Sequence, residues 1–318
     1  MRGRNNRAGM NSGMGFDEGI GETEEVDLRR VNRPLAPGLY LVATPIGNLE
    51  DITLRALRVL RSVDRIACED TRQTQKLLNH FEIKTPTVSY HMHNEGSRAE
   101  ELLAELKQGA RIAVVSDAGT PGIADPGGQI AAVAIAAGVA VFPVPGANAA
   151  ISALIASGLG TERFTFHGFL PAKEGARRTA LEGLAREYPA GTTHVFYETP
   201  HRIVDALGDV EAVFGATQSV VVARELTKLH EEFLRGPVGE LRGVLAGRAT
   251  VRGEMVLLLA PAAAAGAAEG RPGIAAEVAG LAKTLGISEM DALKRVAKER
   301  GLGKSEAYRE LQREQRRR

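Results

Sequence analysis

Short apolar runs alternate with amphipathic stretches along most of the chain. The apolar runs that predict strands in the first half lie at 39–44, 65–69, 87–91, 111–117 and 139–144. Between the first two runs, the spacing of Leu54, Leu57 and Leu60 predicts a helix over 53–63 with these leucines on its buried stripe. Such alternation is typical of an α/β domain with a mainly parallel sheet, and we predict this domain for residues 37–158.

A second alternating set follows Gly158. Its predicted strands lie at 164–170, 193–198, 219–225 and 253–261, with helices at 173–187 and 201–214. Turn signals are closer together here, and residues 230–236 can form the second strand of a hairpin. We therefore predict a second α/β domain over residues 159–261, with a mixed and more antiparallel sheet.

The two ends and one internal segment depart from this alternation. Residues 1–36 combine Gly, Asn and Arg with an acidic block and predict a disordered tail, and the Ala-rich residues 262–273 predict a linker. Residues 274–318 predict three short helices, at 274–285, 288–300 and from Ser305 onward. From Lys294 to the end, ten basic residues stand against four acidic ones. This basic helical segment is either a solvated tail or a small RNA-binding bundle.

The composition is that of an ordinary globular protein, with 318 residues, 44% of them hydrophobic and 25% charged. The length is enough for two domains. The single cysteine, Cys68, excludes an internal disulfide and a thiolate zinc cluster, which favours a reducing, cytoplasmic setting. The formal net charge of +1 says nothing about a partner, so any contact with nucleic acid must come from local basic patches.

One uncharged run, between Asp125 and Glu162, is long enough to cross a membrane. Gly138 and the Pro-Val-Pro-Gly sequence at 143–146 would leave backbone groups without partners in lipid. We therefore expect a buried helix, strand, tight loop and second helix, and no membrane partner. The first fifteen residues lack the apolar centre of a signal peptide.

The loops that follow the predicted strands are the first candidates for chemistry. Neither a GxGxxG loop nor a GxxxxGK[ST] loop is present, which disfavours a Rossmann dehydrogenase and a P-loop NTPase. A tight turn at 44–49 follows the first strand instead, before a helix that Thr53 can cap. This turn is either a plain connection or part of a ligand site, since ligands of α/β sheets gather at the carboxyl ends of strands.

The loop at 116–127 carries more information. It holds two carboxylates, two prolines and three glycines in twelve positions directly after a buried strand. Glycine allows a ligand to approach the backbone closely, and proline fixes the loop before binding. Residues 145–148 follow the next strand and can form the opposite wall. A cradle of this kind suits a small polar cofactor without a phosphate.

Eight segments together resemble one known family. They are TPIGNL (44–49), ACEDTR (67–72), HNE (93–95), SDAGTP (116–121), GFLPAK (168–173), YETPHR (197–202), ARELTK (223–228) and GEMVL (253–257). In order and spacing they are similar to the ribosomal RNA small-subunit methyltransferase I family of the tetrapyrrole methylase superfamily. The chain departs from the family at Pro145-Gly146-Ala147, where Pro-Gly-Pro is usual, and residues before Gly38 and the Ala-rich linker have no counterpart.

The resemblance implies a fold and an activity. The fold is two α/β domains of the tetrapyrrole methylase type, which is the class III S-adenosylmethionine methyltransferase type, followed here by a small C-terminal helical segment. The cofactor is S-adenosyl-L-methionine, bound between the domains. The implied reaction methylates the ribose 2′-hydroxyl of a cytidine in the decoding region of 16S rRNA. The implied partner is 16S rRNA, either as free RNA or within the small ribosomal subunit, and the superfamily also implies a homodimer.

The motifs also imply which residues bind the cofactor. We expect these to be Pro45, Gly47, Ser116, Asp117, Ala118, Gly119, Thr120, Ile123, Asp125, Pro126, Pro145, Gly146 and Glu254. No metal is expected. His91 and His93 would point to the same side of a strand, but zinc is disfavoured because no cysteine or third histidine is near.

A base near the acceptor would help, because a ribose hydroxyl is a weak acid. The candidate catalytic residues are Asp70, Glu198, Glu225 and Lys228, and Glu69 and His201 are further possibilities. Each of them could instead be a solvated charge or a member of an ion pair.

Five residues are candidates for RNA binding: Arg72, His93, Lys173, Arg202 and Arg224. A guanidinium group can hold two phosphate oxygens at once. The alternative for Arg72, Arg202 and Arg224 is pairing with Glu69, Glu198 and Glu225, respectively. His93-Asn94-Glu95 either caps the next helix or lines the RNA side.

Two other functions stay open on the sequence. The first is a methylase of a tetrapyrrole or corrin intermediate, and the motifs 67–72, 197–202 and 223–228 count against it. The second is a ribosome-assembly factor that binds RNA without catalysis, which the Gly- and Pro-rich loop after Asp117 disfavours.

Overall fold

The computed structural model describes residues 34–92, 94–187, 191–261, 274–300 and 302–315. The strands in these ranges are β1 Gly38–Val42, β2 Arg65–Cys68, β3 Thr87–Ser89, β4 Arg111–Val115, β5 Val141–Val144, β6 Phe164–Phe169, β7 Thr193–Glu198, β8 Ser219–Arg224, β9 Glu232–Pro237 and β10 Met255–Leu259. The helices are α1 Leu54–Ser62, α2 Thr71–His80, α3 Glu95–Lys107, α4 Gly128–Ala136, α5 Ala149–Ser157, α6 Glu174–Glu187, α7 Ile203–Phe214, α8 Val238–Ala246, α9 Ile274–Leu285, α10 Glu289–Arg300 and α11 Lys304–Gln315. The predicted tail at 1–36, apart from its last three residues, and the predicted linker at 262–273 lie outside the described residues.

The first sheet has the strand order β3-β2-β4-β1-β5. All four strand pairs are parallel. Leu39, Ile112 and Val114 are fully buried in the core beneath α3 and α4. The predicted parallel α/β fold of this half is therefore confirmed, and the carboxyl ends of β1, β4 and β5 share one edge.

The second sheet has the order β6-β7-β10-β8-β9. Strands β6 and β7 are parallel, and the other pairs are antiparallel. The predicted hairpin is confirmed, because Ser219 to Arg224 pair with Pro237 to Glu232. The prediction of a mixed sheet is also correct.

Helix α5 follows the last strand of the first sheet but packs on the second. Its Ala150, Ala153 and Leu154 share a buried cluster with Val195 and Val256. The described residues from Pro37 onward group into one unit. The division into domains at residue 158 stays a prediction.

Two expectations about buried faces are wrong. Leu54 is 86% exposed, whereas Ala56 and Leu60 are fully buried. At 100° per residue, Leu54 lies on the face of α1 opposite these two residues.

The uncharged run between Asp125 and Glu162 was expected to be buried, but it is only partly so. Helices α4 and α5 each pack through one face and leave Ile135 64% and Ile155 72% exposed. None of the described helices combines the length and apolar character that crossing a membrane requires.

The C-terminal helices α9, α10 and α11 pack around a core of their own. Ile274, Val278, Leu293, Val296 and Leu311 are among its buried residues. Ser288 accepts a hydrogen bond from the backbone N–H of Asp291 at 3.1 Å, as expected for an N-cap. The predicted helices are confirmed, and their packing favours a bundle over a solvated tail.

A buried ion pair joins α6 to α7. Asp209 accepts from Arg177 Nε at 2.6 Å and from Arg178 Nε at 2.7 Å. The side chains of Asp209 and Arg177 are only 4% and 5% exposed. Removing one partner leaves a buried charge without compensation, which costs more than the intact pair contributes.

We expect Asp209→Ala to lower the free energy of unfolding by about 3–5 kcal/mol, because Arg177 would stay buried without its partner. Urea unfolding measures this change. Asp205→Ala, on the exposed side of the same helix, is the control and should change stability by less than about 0.5 kcal/mol. Equal effects of the two substitutions would contradict the role assigned to the pair.

Candidate functional site

The loops after β1 and β4 are joined by their backbones. Thr44 N–H donates to the Gly119 carbonyl at 2.9 Å, and Gly119 N–H donates to the Thr44 carbonyl at 3.0 Å. The Thr44 hydroxyl also donates to the Ser116 carbonyl at 3.3 Å. The tight turn at 44–49 is thus tied to the loop at 116–127.

The loop after β5 joins the same edge. Thr120 Oγ1 donates to the Ala147 carbonyl at 3.1 Å, and Asn148 Nδ2 donates to Thr120 Oγ1 at 3.4 Å. The side chain of Asn148 also caps α5 by accepting from Ile151 N–H at 3.0 Å. The bends that follow Asp117 and Pro145 therefore lie side by side. Ala147 stands where the family that the sequence resembles usually has proline, and its carbonyl accepts the hydrogen bond from Thr120.

Two glycines allow this close approach. Gly119 has a φ of +80°, and a Cβ there would lie 3.3 Å from Ile46 Cγ2. A Cβ on Gly146 would lie 2.9 Å from the Cβ of Ala43, closer than such carbons approach. A larger residue at either position would push the loops apart.

A cleft of about 240 Å³ opens between this edge and the second sheet. Its walls comprise Ile46, Ala118, Gly119, Thr120, Ile123, Ala124, Asp125, Ala149, Phe169, Tyr197, Glu198, Thr199, Pro200, Ala223, Leu226, Glu254, Met255 and Val256. Both sheets contribute, and apolar side chains surround a few carboxylates. This composition is typical of a small-molecule site.

The predicted cofactor-binding residues divide into two groups. Those in the walls are Ala118, Gly119, Thr120, Ile123, Asp125 and Glu254. Those that do not line the cleft are Pro45, Gly47, Ser116, Asp117, Pro126, Pro145 and Gly146. Some of the second group support the loops: Ser116 Oγ donates to the Ala118 carbonyl at 3.2 Å, and Asp117 Oδ1 accepts from Asp70 N–H at 3.0 Å.

Several wall residues were not among the predicted site residues. Phe169, Tyr197, Thr199, Pro200, Leu226 and Met255 all line the cleft. Each lies within or beside a motif, GFLPAK, YETPHR, ARELTK or GEMVL, that carries the family resemblance. Their place in these motifs was the only indication in the sequence that they could belong to the site. That their side chains line the cleft is known only from the structure, where the second sheet faces the first.

Among the carboxylates that line the cleft, Asp125 has the most strongly raised pKa. Burial raises its pKa to about 6, and the nearby charge of Glu69 adds to the effect, although a hydrogen bond with Ser116 opposes it. Burial, followed by the charge of Asp117, also raises the pKa of Glu69. This side of the cleft therefore holds negative charge in a poorly hydrated place, which favours a cationic ligand.

Glu198 is fully held by protein groups. Its Oε1 accepts from Arg202 Nη2 at 2.9 Å, and its Oε2 accepts from Thr199 N–H at 2.8 Å. Burial raises the pKa of Glu198 overall, although these hydrogen bonds and the Arg202 charge oppose the effect. Arg202 also donates to the Leu170 carbonyl. The alternative that Arg202 pairs with Glu198 is therefore confirmed.

The expected partners of the other two arginines are wrong. Arg72 pairs with Asp70 at 2.8 Å and not with Glu69, because Asp70 caps α2 and lies beside its first turn. Arg224 pairs with Glu232 at 2.9 Å and not with Glu225, because the β8–β9 register sets it opposite Glu232. The hydrogen bond from Arg72 lowers the pKa of Asp70 to about 2. Asp70 is therefore a poor base, and it does not line the cleft.

Lys228 joins two glutamates beside the cleft. Its Nζ donates to Glu225 Oε1 at 2.8 Å and to Glu254 Oε2 at 3.0 Å. A Cβ on Gly47 would lie 2.3 Å from Lys228 Cγ, and one on Gly253 would lie 2.4 Å from Glu225 Cγ. Burial lowers the pKa of Lys228, but the hydrogen bonds to the two glutamates outweigh it and raise the pKa overall. Lys228 is thus protonated at neutral pH and cannot accept a proton.

The remaining predicted residues lie apart from the cleft walls or outside the described residues. His93 lies outside the described residues. Asn94 precedes α3 as its N-cap, but its side chain accepts from His91 N–H at 2.8 Å and makes no cap hydrogen bond. Lys173 and His201 are exposed. In the part of the chain that is described, no three His, Cys, Asp or Glu side chains are grouped so as to hold a metal ion.

Comparison with known proteins gives a consistent set of similarities. A family model of tetrapyrrole (corrin/porphyrin) methylases matches residues 38–242. The chain is 54% identical over 221 residues to the ribosomal RNA small subunit methyltransferase I of Halalkalibacterium halodurans, covering 70% of this chain and 75% of that protein. It is 51% identical over 222 residues to the protein of the same name from Escherichia coli O157:H7, covering 70% and 77%.

Solved structures share the fold at low sequence identity. The uroporphyrin-III-C-methyltransferase of Thermus thermophilus superposes with a TM-score of 0.50 at 21% identity, covering 70% of this chain and 94% of that chain. A diphthine synthase superposes with a TM-score of 0.52 at 16% identity, covering 70% and 89%. These similarities concern the arrangement of the two sheets alone.

We expect Lys228→Met to raise the pKa of Glu225 toward its ordinary value of 4.5, because the hydrogen bond from Lys228 holds it down. A lowered carboxyl pKa stabilises the fold above the unfolded-state value, and this stabilisation is lost as the pH falls through the folded-state value. The variant should therefore lose up to about 1 kcal/mol at neutral pH and less below about pH 4. NMR titration of Glu225 and urea unfolding at both pH values measure these effects.

Lys294→Met is the control, since it removes an ammonium group from an exposed pair with Asp291. It should leave the pKa of Glu225 unchanged. An unchanged Glu225 titration in Lys228→Met would refute the assigned cause.

Proposed function

Because the chain belongs to the tetrapyrrole (corrin/porphyrin) methylase family and, within it, to the ribosomal RNA small subunit methyltransferase I group, we propose that it methylates small-subunit ribosomal RNA with S-adenosylmethionine. The observation that carries the proposal is the cleft between the two sheets, walled by residues of the family motifs. The names of relatives that are about half identical in sequence supply the RNA substrate.

The finer proposal concerns the acceptor and the setting. The acceptor is the ribose 2′-hydroxyl of cytidine 1402 in 16S rRNA, carried by the small ribosomal subunit in the cytoplasm. The working form is a homodimer. Exposed Ile151 and Ile155 on α5 give such a dimer an apolar surface to cover.

The cleft fits the proposed cofactor in two respects. Its carboxylates, among them Asp125 and Glu254, suit a ligand that carries positive charge. Its apolar walls, including Ile123, Leu226 and Met255, suit the uncharged part of the same ligand. At Gly119 the absence of a side chain brings the backbone within reach of a ligand.

S-adenosylmethionine, when bound, supplies the activated methyl group. The protein then has to align the acceptor with that group and exclude water. The apolar walls of the cleft exclude water, and the tied loops at 44–49, 116–127 and 145–148 fix one wall. Both oxygens of Glu198 are already engaged, so we assign it to shaping the wall and not to proton transfer. The proton that the 2′-hydroxyl loses as the methyl group is transferred passes to solvent at the cleft mouth, because protonated Lys228 cannot accept it. Lys228, held by Glu225, instead positions Glu254 in the cleft wall.

RNA contacts are proposed at exposed basic groups. The side chain of Arg72 is 87% exposed beside its partner Asp70, and Lys173 is exposed before α6. Arg202 and Arg224 are already paired within the protein, which favours structural roles for them. The basic helical bundle at the C-terminus is the second proposed RNA contact, through exposed residues such as Arg295, Lys298 and Arg309.

The proposal is tested with S-adenosylmethionine labelled in its methyl group and small ribosomal subunits from a strain that lacks this enzyme. We expect the label in one ribose of 16S rRNA, at the cytidine named above, which nuclease mapping locates. We expect Gly119→Val to abolish cofactor binding, because a β-branched residue is strained at φ +80° and would contact Ile46.

Gly243→Val, at a helical glycine with open space around it, is the matched control and should retain activity. Circular dichroism of both variants shows whether the fold is kept. Label on a tetrapyrrole and not on RNA, or RNA binding with no heat of S-adenosylmethionine binding, would replace the proposal with one of its two rivals.

We also expect the affinity for S-adenosylmethionine to fall as the pH is lowered from about 7.5 to 5. Asp125, with a pKa of about 6, becomes protonated in this range and loses the charge that attracts a cation. If the bound cation lowers this pKa by about one unit, affinity falls about fivefold by pH 5 and approaches a roughly tenfold loss only at pH values well below both pKa values. Calorimetry at several pH values measures the change.

Asp125→Asn should bind more weakly at pH 7.5 and show a flat pH profile. Asp205→Asn, at an exposed residue outside the cleft walls, should behave like the unchanged protein. An unaltered pH slope in Asp125→Asn would place the titrating group elsewhere.

A further inference from the structure

The first turn of α4 receives no side-chain cap from its own N-cap residue. Its N-cap residue, Gly127, has no side chain and a φ of +136°. The first N–H groups of a helix have no partners inside the helix and need acceptors from elsewhere. This requirement arises at the end of the loop that supplies Asp125 to the cleft.

Two residues from the region after β3 supply these acceptors. Glu95 Oε1 accepts from Gly127 N–H at 3.3 Å, and the Tyr90 oxygen accepts from Ile130 N–H at 3.3 Å. The Tyr90 hydroxyl donates to the same Glu95 oxygen at 2.7 Å. We call this unit the Tyr90–Glu95 bracket.

The bracket is held firmly in its own right. Tyr90 is fully buried, and its N–H donates to the Cys68 carbonyl at 2.8 Å, which continues the β2–β3 pairing. Burial, followed by the hydrogen bond to Glu95, raises the pKa of Tyr90, so its hydroxyl keeps the proton that it donates. A carboxylate near the N-terminus of α4 is also favoured by the helix dipole.

The bracket is one of two anchors of the loop at 116–127. The other anchor is the backbone exchange between Gly119 and Thr44. The segment between them includes the wall residues Thr120, Ile123 and Asp125. It also contains Ala124 at a φ of +62°, a conformation that a residue with a Cβ keeps only when its surroundings impose it.

We propose that Tyr90 and Glu95 are positioning residues for the wall that binds the methyl donor. They hold Gly127, two residues beyond Asp125, and so keep the Asp125 carboxylate buried at the cleft. Neither residue lines the cleft itself. The proposal rests on the proposed function for the identity of the ligand, but the placement of Asp125 can be measured without any ligand.

The test uses three variants of the full chain. Tyr90→Phe removes one hydroxyl and keeps the ring, and Glu95→Ala removes the shared acceptor. Glu95→Gln keeps an acceptor oxygen without the charge and serves as the conservative rescue. Glu101→Ala is the matched control, because Glu101 lies on the same helix with a 60% exposed side chain that pairs with Arg98.

We expect Tyr90→Phe and Glu95→Ala to weaken S-adenosylmethionine binding about tenfold in calorimetry, since each removes hydrogen bonds that fix the wall. Glu95→Gln should recover most of this loss, and Glu101→Ala should show none. The rate at saturating donor and the KM for RNA should stay within about twofold, because the bracket does not touch the reacting groups. NMR titration without ligand should show the pKa of Asp125 falling from about 6 toward its ordinary value of 3.8 as the wall loosens.

Unchanged donor affinity and an unchanged Asp125 titration, even with a lower melting temperature, would overturn the proposal and leave the bracket a merely structural feature. Failure of the unchanged protein to bind S-adenosylmethionine would overturn the proposed function instead. The Asp125 titration would then decide for or against the bracket by itself.

Discussion

The reciprocal pair of backbone hydrogen bonds between Thr44 and Gly119 is the constraint on which the site depends. A parallel sheet leaves the loops at its carboxyl edge without ladder partners, and buried backbone groups must find partners elsewhere. Here two such loops satisfy each other at 2.9 and 3.0 Å. The arrangement requires a left-handed residue without a side chain at position 119, where φ is +80°. Gly119 therefore has two roles. It allows the two loops to form these hydrogen bonds, and its lack of a side chain leaves space in the cleft wall.

The second sheet turns this edge into a cleft with a defined electrostatic character. Helix α5 belongs to the first half in sequence but packs on the second sheet through Ala153 and Leu154, which ties the two walls together. The resulting enclosure removes water from Asp125, whose charged form is disfavoured there until a cation is bound. A cleft that disfavours an isolated carboxylate favours a carboxylate paired with a cationic ligand. In the proposed function, the burial of Asp125 therefore favours a donor that carries positive charge.

The sequence predicts the elements well and their partnerships less well. Periodicity and turn residues identify the strands and helices, because both are local properties of the chain. The partners of Arg72 and Arg224 depend on a helix cap and on the register of β8 with β9, which local patterns do not encode. Leu54 fits a spacing rule but lies on the wrong face of α1. Tyr197 and Phe169 become recognisable as wall residues only when the second sheet is known to face the first.

The packing around Lys228 shows why distant motifs must be interpreted together. Gly47 leaves room for the lysine stem, and Gly253 leaves room for the Glu225 carboxylate. Glu225 and Thr227 have φ values of 51° and 63°, which non-glycine residues keep only under external constraint. Backbone hydrogen bonds from Glu225 N–H to the Glu254 carbonyl and from Thr227 N–H to Glu231 Oε2 constrain this turn. The ion pairs of Lys228 with Glu225 and Glu254 connect it to the cleft wall. A side chain added at Gly47 would therefore act on Glu254 through Lys228, and one added at Gly253 would act through Glu225. The three motifs at 44–49, 223–228 and 253–257 thus behave as one packing unit, although about 180 residues separate the first from the second.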